Sequence, residues 1–411
     1  MTDSRQTAFE TLYKIFYDNA YSNIALDSAL SRAENSKAFV SRLVYGVVER
    51  KLTLDYIISE HCNKPKPKLL TILRMGVYQL YFMGSVPSSA AINESVKLAK
   101  NNGMQFYSGM VNAVLHKIDN NRIDINSVQD PSIKYSIPQN LIRMWQKAYG
   151  KEQTDSFLPS FNEPAPIYIV PNTVLTDIDS LSNSFRKENI LFEREGDLLK
   201  IKSSGDITAT DAFNNGLFYI QDKSCYEAVK ALDIQKGQSV LDVCAAPGGK
   251  SFTAAQFTGT TGEILSCDIY EHRVGLIKKS ADRLGLENIH TIVNDALKYN
   301  IEIEKADRII CDVPCSGFGI IRRKPEIRYK ELDSIKGLPD IQYDILKTSS
   351  KYLKIGGRIL FSTCTLNLRE NERVVEKFIN ENSDFSIIKS KTIFPEIGGG
   401  DGFFYSVIER N

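Results

Sequence analysis

The sequence contains no apolar run approaching the roughly 18 residues that a membrane-spanning helix requires, so no membrane association is expected. Its first ten residues lack the charged and then apolar pattern of a secretory signal peptide. The net charge is only +1, which excludes a surface of one charge but not a local basic patch. The seven cysteines are an odd number in a long chain, which argues against a disulfide framework and predicts reduced thiols in a cytoplasmic protein.

The composition is otherwise globular, with 42% hydrophobic and 25% charged residues, and the length suffices for two or three domains. Apolar residues recur at helical spacing through the first 130 residues, so we predict an all-α domain over 1–130. The clearest stripes are formed by Val40, Leu43, Val44, Val47 and Val48, by Leu69, Leu70, Leu73, Val77 and Leu80, and by Val111, Val114, Leu115 and Ile118.

The middle of the chain is less regular. Asn, Asp, Ser and Pro accumulate between residues 119 and 138, which is typical of a linker. A helix is predicted near 177–187, where Thr176 and Asp179 have the spacing of a capping box. Strand-like pieces lie on both sides of this helix. We therefore predict linker helices and a small α+β unit over 131–215.

From residue 216 onward, short apolar strands alternate with helices, which predicts a parallel sheet with right-handed crossovers in an α/β domain over 216–411. One of the helices is predicted over 272–284 and is closed by Gly285. Ligands bind beyond the carboxyl ends of the strands in such sheets, so the loops that directly follow the strands are the candidate sites. The predicted strands are 239–243, 263–269, 290–293, 308–313 and 358–362.

The loop after the first of these strands is Cys244-Ala-Ala-Pro-Gly-Gly-Lys250, and a helix follows it. Paired glycines let a ligand approach the backbone, and the N-terminus of a helix offers free N–H groups. The run Gly-Gly-Lys-Ser at 248–251 leaves a nucleotide hydrolase open, although a Walker A loop would need glycine where Cys244 stands. The dinucleotide pattern G-x-G-x-x-G is absent. A tight turn without a ligand also fits this loop taken alone.

Acidic residues at the ends of the next two strands favour a ligand. Asp268 ends the second strand, 19 residues after Gly249, where a carboxylate grips the two hydroxyls of a ribose. Asp295 follows the third strand, in a position to meet an adenine edge. These residues predict an adenosyl ligand without a phosphate-binding loop. S-adenosylmethionine fits that description better than NAD or ATP.

The fourth and fifth strands lead into thiols, Cys315 in Asp-Val-Pro-Cys-Ser-Gly and Cys364 in Ser-Thr-Cys-Thr. Cys311 and Cys315 do not have the spacing of a zinc site and no His lies near them, so no metal is predicted. Two thiols at the ligand-binding edge of one sheet indicate nucleophilic catalysis. Methylation of cytosine at C5 requires a thiolate, because its addition to C6 makes C5 nucleophilic. The thiols predicted only to pack are Cys62, Cys225, Cys267 and Cys311.

These motifs resemble those of the RNA cytosine-C5 methyltransferases. The segments 240–250, 312–317 and 362–365 are similar to the cofactor, Pro-Cys and Thr-Cys motifs of that family. Leu73-Arg-Met-Gly-Val-Tyr-Gln-Leu80 and Val111-Asn-Ala-Val-Leu115 look like parts of a NusB-type helical RNA-binding domain. The resemblance implies three parts: an all-α NusB-like domain, a small α+β middle unit, and a Rossmann-like class I S-adenosylmethionine-dependent methyltransferase domain.

Two further segments narrow the resemblance to one bacterial branch. Ile320-Ile-Arg-Arg-Lys-Pro-Glu326 and Gly400-Asp-Gly-Phe-Phe-Tyr405 are similar to stretches of the RsmB/Sun/Fmu type, which methylates 16S ribosomal RNA. The resemblance therefore implies 16S rRNA as the partner and S-adenosylmethionine as the cofactor. We also expect the chain to act as a monomer. Phe318 departs from the many relatives that have a small residue or Thr there, which affects little beyond local packing.

The roles of individual residues follow from the resemblance. In the RNA enzymes the Thr-Cys thiol attacks C6 and the Pro-Cys thiol assists product release, which implies Cys364 as nucleophile and Cys315 as its helper. DNA enzymes use the Pro-Cys thiol as nucleophile, so composition and spacing alone leave the two roles open. Lys250 and Asp312 are also implied to touch the cytosine. The residues implied to line the cofactor are Cys244, Ala245, Ala246, Pro247, Gly248, Gly249, Lys250, Asp268, Asp295 and Asp312.

The segment 322–330 carries five positive charges and one negative charge just downstream of Cys315. It suits either a solvated loop or, as we favour, contact with RNA phosphates. A hypothesis of a different kind is a non-catalytic RNA-binding or antitermination-type assembly factor. The helical domain alone would permit this function, whereas the cofactor loop and both thiols argue against it.

Overall fold

The computed structural model describes residues 4–18, 20, 22–30, 37–203 and 205–411. The chain divides into two compact units. The first consists of Met1–Asn162 together with Ile321–Glu331, and the second of Glu163–Ile320 together with Leu332–Asn411. The segment predicted to hold linker helices and a small α+β unit, 131–215, is thus shared between the two units.

The first unit is helical, which confirms the prediction from the apolar stripes. All five residues of the stripe 40–48 are fully buried, and those of the other two stripes are buried except Leu70, which is partly buried against the same core. Burial of these faces against one another is the main driving force for a helical bundle. The α-helices among its described residues are α1 (Ser4–Tyr17), α2 (Ser22–Leu30), α3 (Lys37–Glu49), α4 (Lys51–Ser59), α5 (Pro67–Phe82), α6 (Ser88–Asn101), α7 (Ser108–Asn120), α8 (Pro131–Tyr135), α9 (Gln139–Tyr149) and α10 (Lys151–Phe157).

The basic segment 322–330 belongs to this helical unit, and Arg328 in it is only 1% exposed. A guanidinium that is buried and bonded to backbone carbonyl groups is not available to RNA, so the predicted phosphate contact is wrong for Arg328, and so is the alternative of a solvated loop. Arg323 and Lys324 are exposed and remain predicted phosphate contacts. The Arg328 guanidinium donates hydrogen bonds to the backbone carbonyl oxygens of Glu49, Ser136, Phe161 and Ile321.

A small antiparallel sheet opens the second unit, which confirms the predicted α+β character. The helix predicted near 177–187 is present, but its cap differs from the prediction. Asp177 adopts an extended conformation and its carboxylate accepts hydrogen bonds from the N–H groups of Asp179 and Ser180. Thr176 donates to a backbone carbonyl instead. The elements are β1 (Ile167–Pro171), α11 (Ile178–Lys187), β2 (Leu191–Glu195), β3 (Leu198–Ser203), α12 (Asp211–Asn214) and β4 (Phe218–Ile220), with strand order β2–β3–β1–β4.

The larger sheet of this unit has seven strands. They are β5 (Val240–Asp242), β6 (Ile264–Asp268), β7 (Ile289–Val293), β8 (Ala306–Asp312), β9 (Leu353–Thr363), β10 (Phe385–Ile393) and β11 (Phe403–Arg410), in the order β10–β11–β9–β8–β5–β6–β7. The five predicted strands are β5 to β9 and pair in parallel, as expected. The strands β10 and β11 add an antiparallel edge and were not predicted from the sequence.

The chain reverses its direction of travel across the sheet at β5, because β6 and β7 follow on one side of it and β8 and β9 on the other. Ligands bind at such a reversal point. The helix α15 ends at Gly285 in a left-handed conformation, as predicted. The helices of this part of the unit are α13 (Lys223–Ala231), α14 (Gly249–Thr258), α15 (Glu271–Leu284), α16 (Leu338–Ser350) and α17 (Glu372–Glu381).

Candidate active site

The loop 244–250 connects β5 to α14 and lies at the reversal point of the sheet. Two backbone hydrogen bonds hold it, from the N–H of Ala245 to the carbonyl of Cys267 (2.8 Å) and from the N–H of Gly248 to the carbonyl of Ala245 (2.7 Å). The first of these bonds ties the loop to the neighbouring strand β6. The loop is therefore fixed relative to β6 at the point where it leads into α14. The N–H groups in the first turn of this helix have no partners inside the helix.

The two glycines of this loop differ in what they allow. Gly248 has a φ of +110°, and a Cβ atom there would lie 2.3 Å from the ring of Phe252. Gly249 has ordinary helical backbone, and the nearest atom to a Cβ there would be Nε2 of Gln221, at 3.4 Å. Gly248 is thus required by the fold itself, whereas the chain leaves space at Gly249.

Asp268 is the last residue of β6 and is 5% exposed. One of its carboxylate oxygens accepts a 3.1 Å hydrogen bond from the N–H of Tyr270, and the other lies 4.0 Å from the guanidinium of Arg273. The backbone carbonyl of Asp268 accepts a hydrogen bond from Asn294, directly after β7. The predicted partner Asp295 is thus brought next to the end of β6, where its carboxylate also contacts Lys298 at 3.2 Å.

This set of groups fits an adenosyl ligand. A carboxylate such as that of Asp268 can accept hydrogen bonds from ribose hydroxyls, and the space at Gly249 would let a ligand approach the start of α14. The two features lie at the ends of adjacent parallel strands, since Val240–Asp242 of β5 pairs with Ile264–Ser266 of β6.

Asp242, the last residue of β5, is a further residue of this site and was not predicted from the sequence. Its side chain is fully buried, and burial raises its pKa from 3.8 to about 7, although a hydrogen bond from Ser251 opposes the shift. Ser251 donates to Asp242 at 2.7 Å and accepts from Ser266 at 2.8 Å. These two hydrogen bonds link β5, α14 and β6 and help to hold the three elements in register.

Lys250 and Asp312 form an ion pair at the same edge of the sheet. The Lys250 ammonium lies 2.6 Å from one oxygen of Asp312, and the other oxygen accepts a hydrogen bond from Ser362 at 2.8 Å. Burial lowers the pKa of Lys250, but the charge of Asp312 outweighs it and raises the pKa above its ordinary value of 10.5. The ammonium is also 3.6 Å from the sulfur of Cys225, a thiol predicted only to pack.

The structure brings Cys315 and Cys364 together, with their sulfur atoms 3.3 Å apart. Both follow adjacent parallel strands whose residues Asp312 and Ser362 are paired, so the two loops leave the sheet side by side. The hydrogen bond with Cys364 is the main cause that raises the pKa of Cys315 well above 9.0, and burial and nearby carboxylates add to it. Cys315 is therefore held as a neutral thiol beside Cys364.

The remaining cysteines of the second unit have the properties of buried apolar groups. Burial raises the pKa of Cys225, Cys267 and Cys311 to about 12 in each case, and raises that of Cys244 well above 9.0. High pKa values make thiols poor nucleophiles. Among the hydrogen bonds of the described residues, none joins the sulfur of any of these four cysteines to a second cysteine sulfur, as happens between Cys315 and Cys364.

Two more residues at this site escaped the sequence analysis. Glu370 and Asn371 are both fully buried, and their side chains contact the loops that carry Cys315 and Cys364. The only signal for them in the sequence is a polar run, Arg369 to Glu372, shortly after the Thr-Cys motif.

The residues that the structure describes include no group of three or more His, Cys, Asp or Glu side chains arranged to hold a metal ion. Among the described helices, none is both long and apolar enough to cross a membrane.

Comparison with known proteins gives matches across the chain. A family model described as 16S rRNA methyltransferase RsmB/F matches residues 229–409, and that of the NusB family matches residues 2–120. The "Probable ribosomal RNA small subunit methyltransferase B" of Bacillus subtilis is 37% identical over 93% of this chain and 90% of its own length. A relative with the same description from Synechocystis is 32% identical over the full length of both chains.

Among solved structures, a methyltransferase homologue protein from Pyrococcus horikoshii is similar with a TM-score of 0.62 and 25% identity. The match covers 69% of this chain and 98% of that one.

Proposed function

Because the chain belongs to the family of the ribosomal RNA small subunit methyltransferases B, S-adenosylmethionine-dependent enzymes of 16S rRNA, we propose that it methylates C5 of one cytosine through a covalent bond between Cys364 and C6. The observation that carries this proposal is the 3.3 Å approach of the Cys315 and Cys364 sulfurs. The two thiols lie at the edge of the sheet that also holds the candidate cofactor groups.

The chemistry explains why a thiol is needed. C5 of cytosine is a weak nucleophile and does not take a methyl group from a sulfonium directly. When the Cys364 thiolate adds to C6, the electron pair of the 5,6 double bond moves to C5, which then bonds to the methyl carbon of the sulfonium. The bond between that carbon and the sulfonium sulfur breaks, and the sulfur keeps the electron pair and leaves as a neutral thioether. Transfer of the C5 proton to a base, such as water, and departure of the thiolate from C6 restore the double bond and the aromatic ring.

Cys315 is suited to the second half of this sequence. As a neutral thiol beside Cys364, it can exchange a proton with the departing sulfur and so assist release of the product. The ion pair of Lys250 and Asp312 lies next to both loops and offers a donor and an acceptor for the polar edge of a cytosine. The base must leave its stack to reach these groups.

S-adenosylmethionine supplies the methyl group when it is bound. The residues that would hold it are those of the loop 244–250, with Asp268 at the ribose and Asp295 at the adenine edge. Asp312 would contact both the cofactor and the base. The N–H groups at the start of α14 would meet its polar end.

The test is methylation of unmodified 16S rRNA by the purified chain with S-adenosylmethionine, with the product mapped by bisulfite sequencing. The wild type should modify one cytosine at C5. Cys364→Ala should abolish both turnover and any covalent protein–RNA adduct, whereas Cys315→Ala should accumulate the adduct. Cys62→Ala is the matched control, because this half-buried thiol of the helical unit has no role in the proposal.

Three outcomes would contradict the proposal. Methylation of a ring nitrogen or of ribose would exclude the thiolate mechanism. An adduct that accumulates in Cys364→Ala instead of Cys315→Ala would exchange the two roles. Failure of the wild type to bind S-adenosylmethionine in calorimetry would favour a non-catalytic RNA-binding assembly factor.

A further inference from the structure

Glu370 is a fully buried carboxylate that lies against the loop carrying Cys315. It accepts hydrogen bonds from both the N–H and the hydroxyl of Ser316, at 2.8 and 2.6 Å. Two side-chain amides complete its surroundings, from Gln342 at 3.0 Å and Asn367 at 2.7 Å. Ser316 directly follows Cys315, so Glu370 fixes the backbone immediately after this thiol.

The next residue, Asn371, makes the corresponding contacts with the loop that carries Cys364. Its side-chain oxygen accepts a 2.5 Å hydrogen bond from the hydroxyl of Thr363, and its amide donates a 2.9 Å hydrogen bond to the carbonyl of Thr365. Asn371 therefore holds the residues on both sides of Cys364. It is fully buried as well.

The two loops are also bonded to each other. The hydroxyl groups of Ser316 and Thr365 are 2.7 Å apart, and the N–H of Phe318 donates to the Thr365 hydroxyl at 3.2 Å. Thr365 is therefore held from one side by Asn371 and from the other by the loop of Cys315.

The chemistry of Glu370 matters, because the four groups that bond to its carboxylate are all hydrogen-bond donors. A carboxylate has only acceptors and satisfies them all. An amide of the same size would turn an NH2 group toward at least one of these donors and would leave it unpaired. Glu370→Gln therefore changes the contact with the Cys315 loop while keeping the volume of the side chain.

We propose that Glu370 and Asn371 are positioning residues for the two thiols, Glu370 for Cys315 and Asn371 for Cys364. Because they are consecutive in the chain, one short segment sets the distance between the two sulfurs. This inference rests on the proposed function, in which Cys364 attacks the base and Cys315 assists its release. Loss of Glu370 should then impair release, and loss of Asn371 should impair attack.

The experiment compares Glu370→Gln and Asn371→Ala with Glu372→Gln as the matched control. Glu372 lies two residues further on and accepts its hydrogen bond from Thr392 on β10, not from a cysteine loop. For each variant, turnover on 16S rRNA, the amount of covalent protein–RNA adduct and the affinity for S-adenosylmethionine are measured.

Both variants should lose about tenfold or more in turnover, as is usual for a displaced reacting group. Glu370→Gln should accumulate the adduct, as Cys315→Ala does, and Asn371→Ala should form less of it than the wild type. Affinity for S-adenosylmethionine should stay within about threefold of the wild type, well inside the 1.4 kcal/mol of a tenfold change. Glu372→Gln should match the wild type in every measurement.

A second readout needs no RNA and no methylation. The rates at which iodoacetamide alkylates Cys315 and Cys364 are measured by mass spectrometry of the full chain. Glu370→Gln should change mainly the rate at Cys315, and Asn371→Ala mainly that at Cys364. Glu370→Asp, which keeps the carboxylate, serves the same measurement if Glu370→Gln does not fold.

Equal changes at both thiols in both variants, or a parallel loss of adduct and cofactor affinity, would overturn the inference and leave a purely structural role. If instead the wild type forms no adduct and no 5-methylcytosine, the proposed function fails. The alkylation pattern then still decides whether each residue positions its own thiol.

Discussion

The guanidinium of Arg328 donates a 2.8 Å hydrogen bond to the backbone carbonyl oxygen of Glu49, the last residue of α3. A helix C-terminus leaves its final carbonyl groups without partners inside the helix, and a cation there is favourable. Tyr329 adds a 2.9 Å hydrogen bond to the carbonyl of Val48. A segment that is basic in sequence is thus a structural part of the helical unit.

Replacement of Arg328 by Met should destabilise the helical unit. The variant keeps an apolar stem of similar length but leaves several buried carbonyl groups unpaired, which should lower the free energy of unfolding by about 3 kcal/mol. Urea denaturation followed by circular dichroism measures the loss. Lys324→Met, at an exposed position of the same segment, should change stability by less than about 0.5 kcal/mol. Equal stability of both variants would show that the Arg328 contacts are not needed.

The exposed pair Arg323 and Lys324 is where the predicted phosphate contact can still be tested. Each phosphate contact to single-stranded RNA adds about 0.7 to the slope of log affinity against log salt concentration. The double variant Arg323→Ala, Lys324→Ala should therefore reduce that slope by about 1.4. Filter binding at several salt concentrations provides the measurement. The exposed pair Lys278 and Lys279 on α15, changed to Ala, is the control, and an unchanged slope in the first variant would exclude the contact.

Much of the sheet could be predicted from the sequence because its strands are short apolar runs and its helices end at clear signals such as Gly285. The prediction that the loops after β5 to β9 bring both thiols and Asp268 to one edge of the sheet is correct. Arg328, Glu370 and Asn371 could not be identified, because their roles depend on partners distant in sequence or on the exact path of a loop. Burial of Arg328 involves Glu49, 279 residues earlier, and no local pattern reports such a contact.

The buried Asp242 predicts an unusual pH dependence of stability. Its pKa is raised from 3.8 to about 7 in the folded chain, so between about pH 4 and pH 7 the unfolded state has lost a proton that the folded state keeps. The free energy of unfolding should therefore fall as the pH rises through this window. Asp242→Asn removes this contribution. The free energy of unfolding of the variant minus that of the wild type should therefore rise by up to about 4 kcal/mol between about pH 4 and pH 7. Urea titrations at several pH values measure it.

Asp307 is the control of opposite sign for that experiment. Burial acts to raise its pKa, but hydrogen bonds from Ser239 and the ion pair with Lys354 outweigh burial, and the pKa lies below 3.8. Its contribution to stability is present above the unfolded pKa and is lost as the pH falls through the folded one. Asp307→Asn should thus show its largest loss of stability near neutral pH. A parallel response of the two variants would contradict the assignment for Asp242.

The two glycines of the cofactor loop should respond differently to substitution by alanine. At Gly248 the added Cβ meets the ring of Phe252 at 2.3 Å and the residue must keep a φ of +110°, so Gly248→Ala should lower the free energy of unfolding by about 2 kcal/mol or more. At Gly249 the backbone is helical and the nearest atom is 3.4 Å away, so Gly249→Ala should leave stability nearly unchanged.

The affinity for S-adenosylmethionine then separates the roles of the two positions. Gly249→Ala places a methyl group where a ligand would approach the start of α14, so calorimetry should detect weaker binding, by about tenfold, in a stable protein. Gly248→Ala should weaken the binding of S-adenosylmethionine only because it also lowers the free energy of unfolding. If Gly249→Ala binds the cofactor as tightly as the wild type, the ligand does not approach the backbone at this residue. The glycine at position 249 is then not required for cofactor binding.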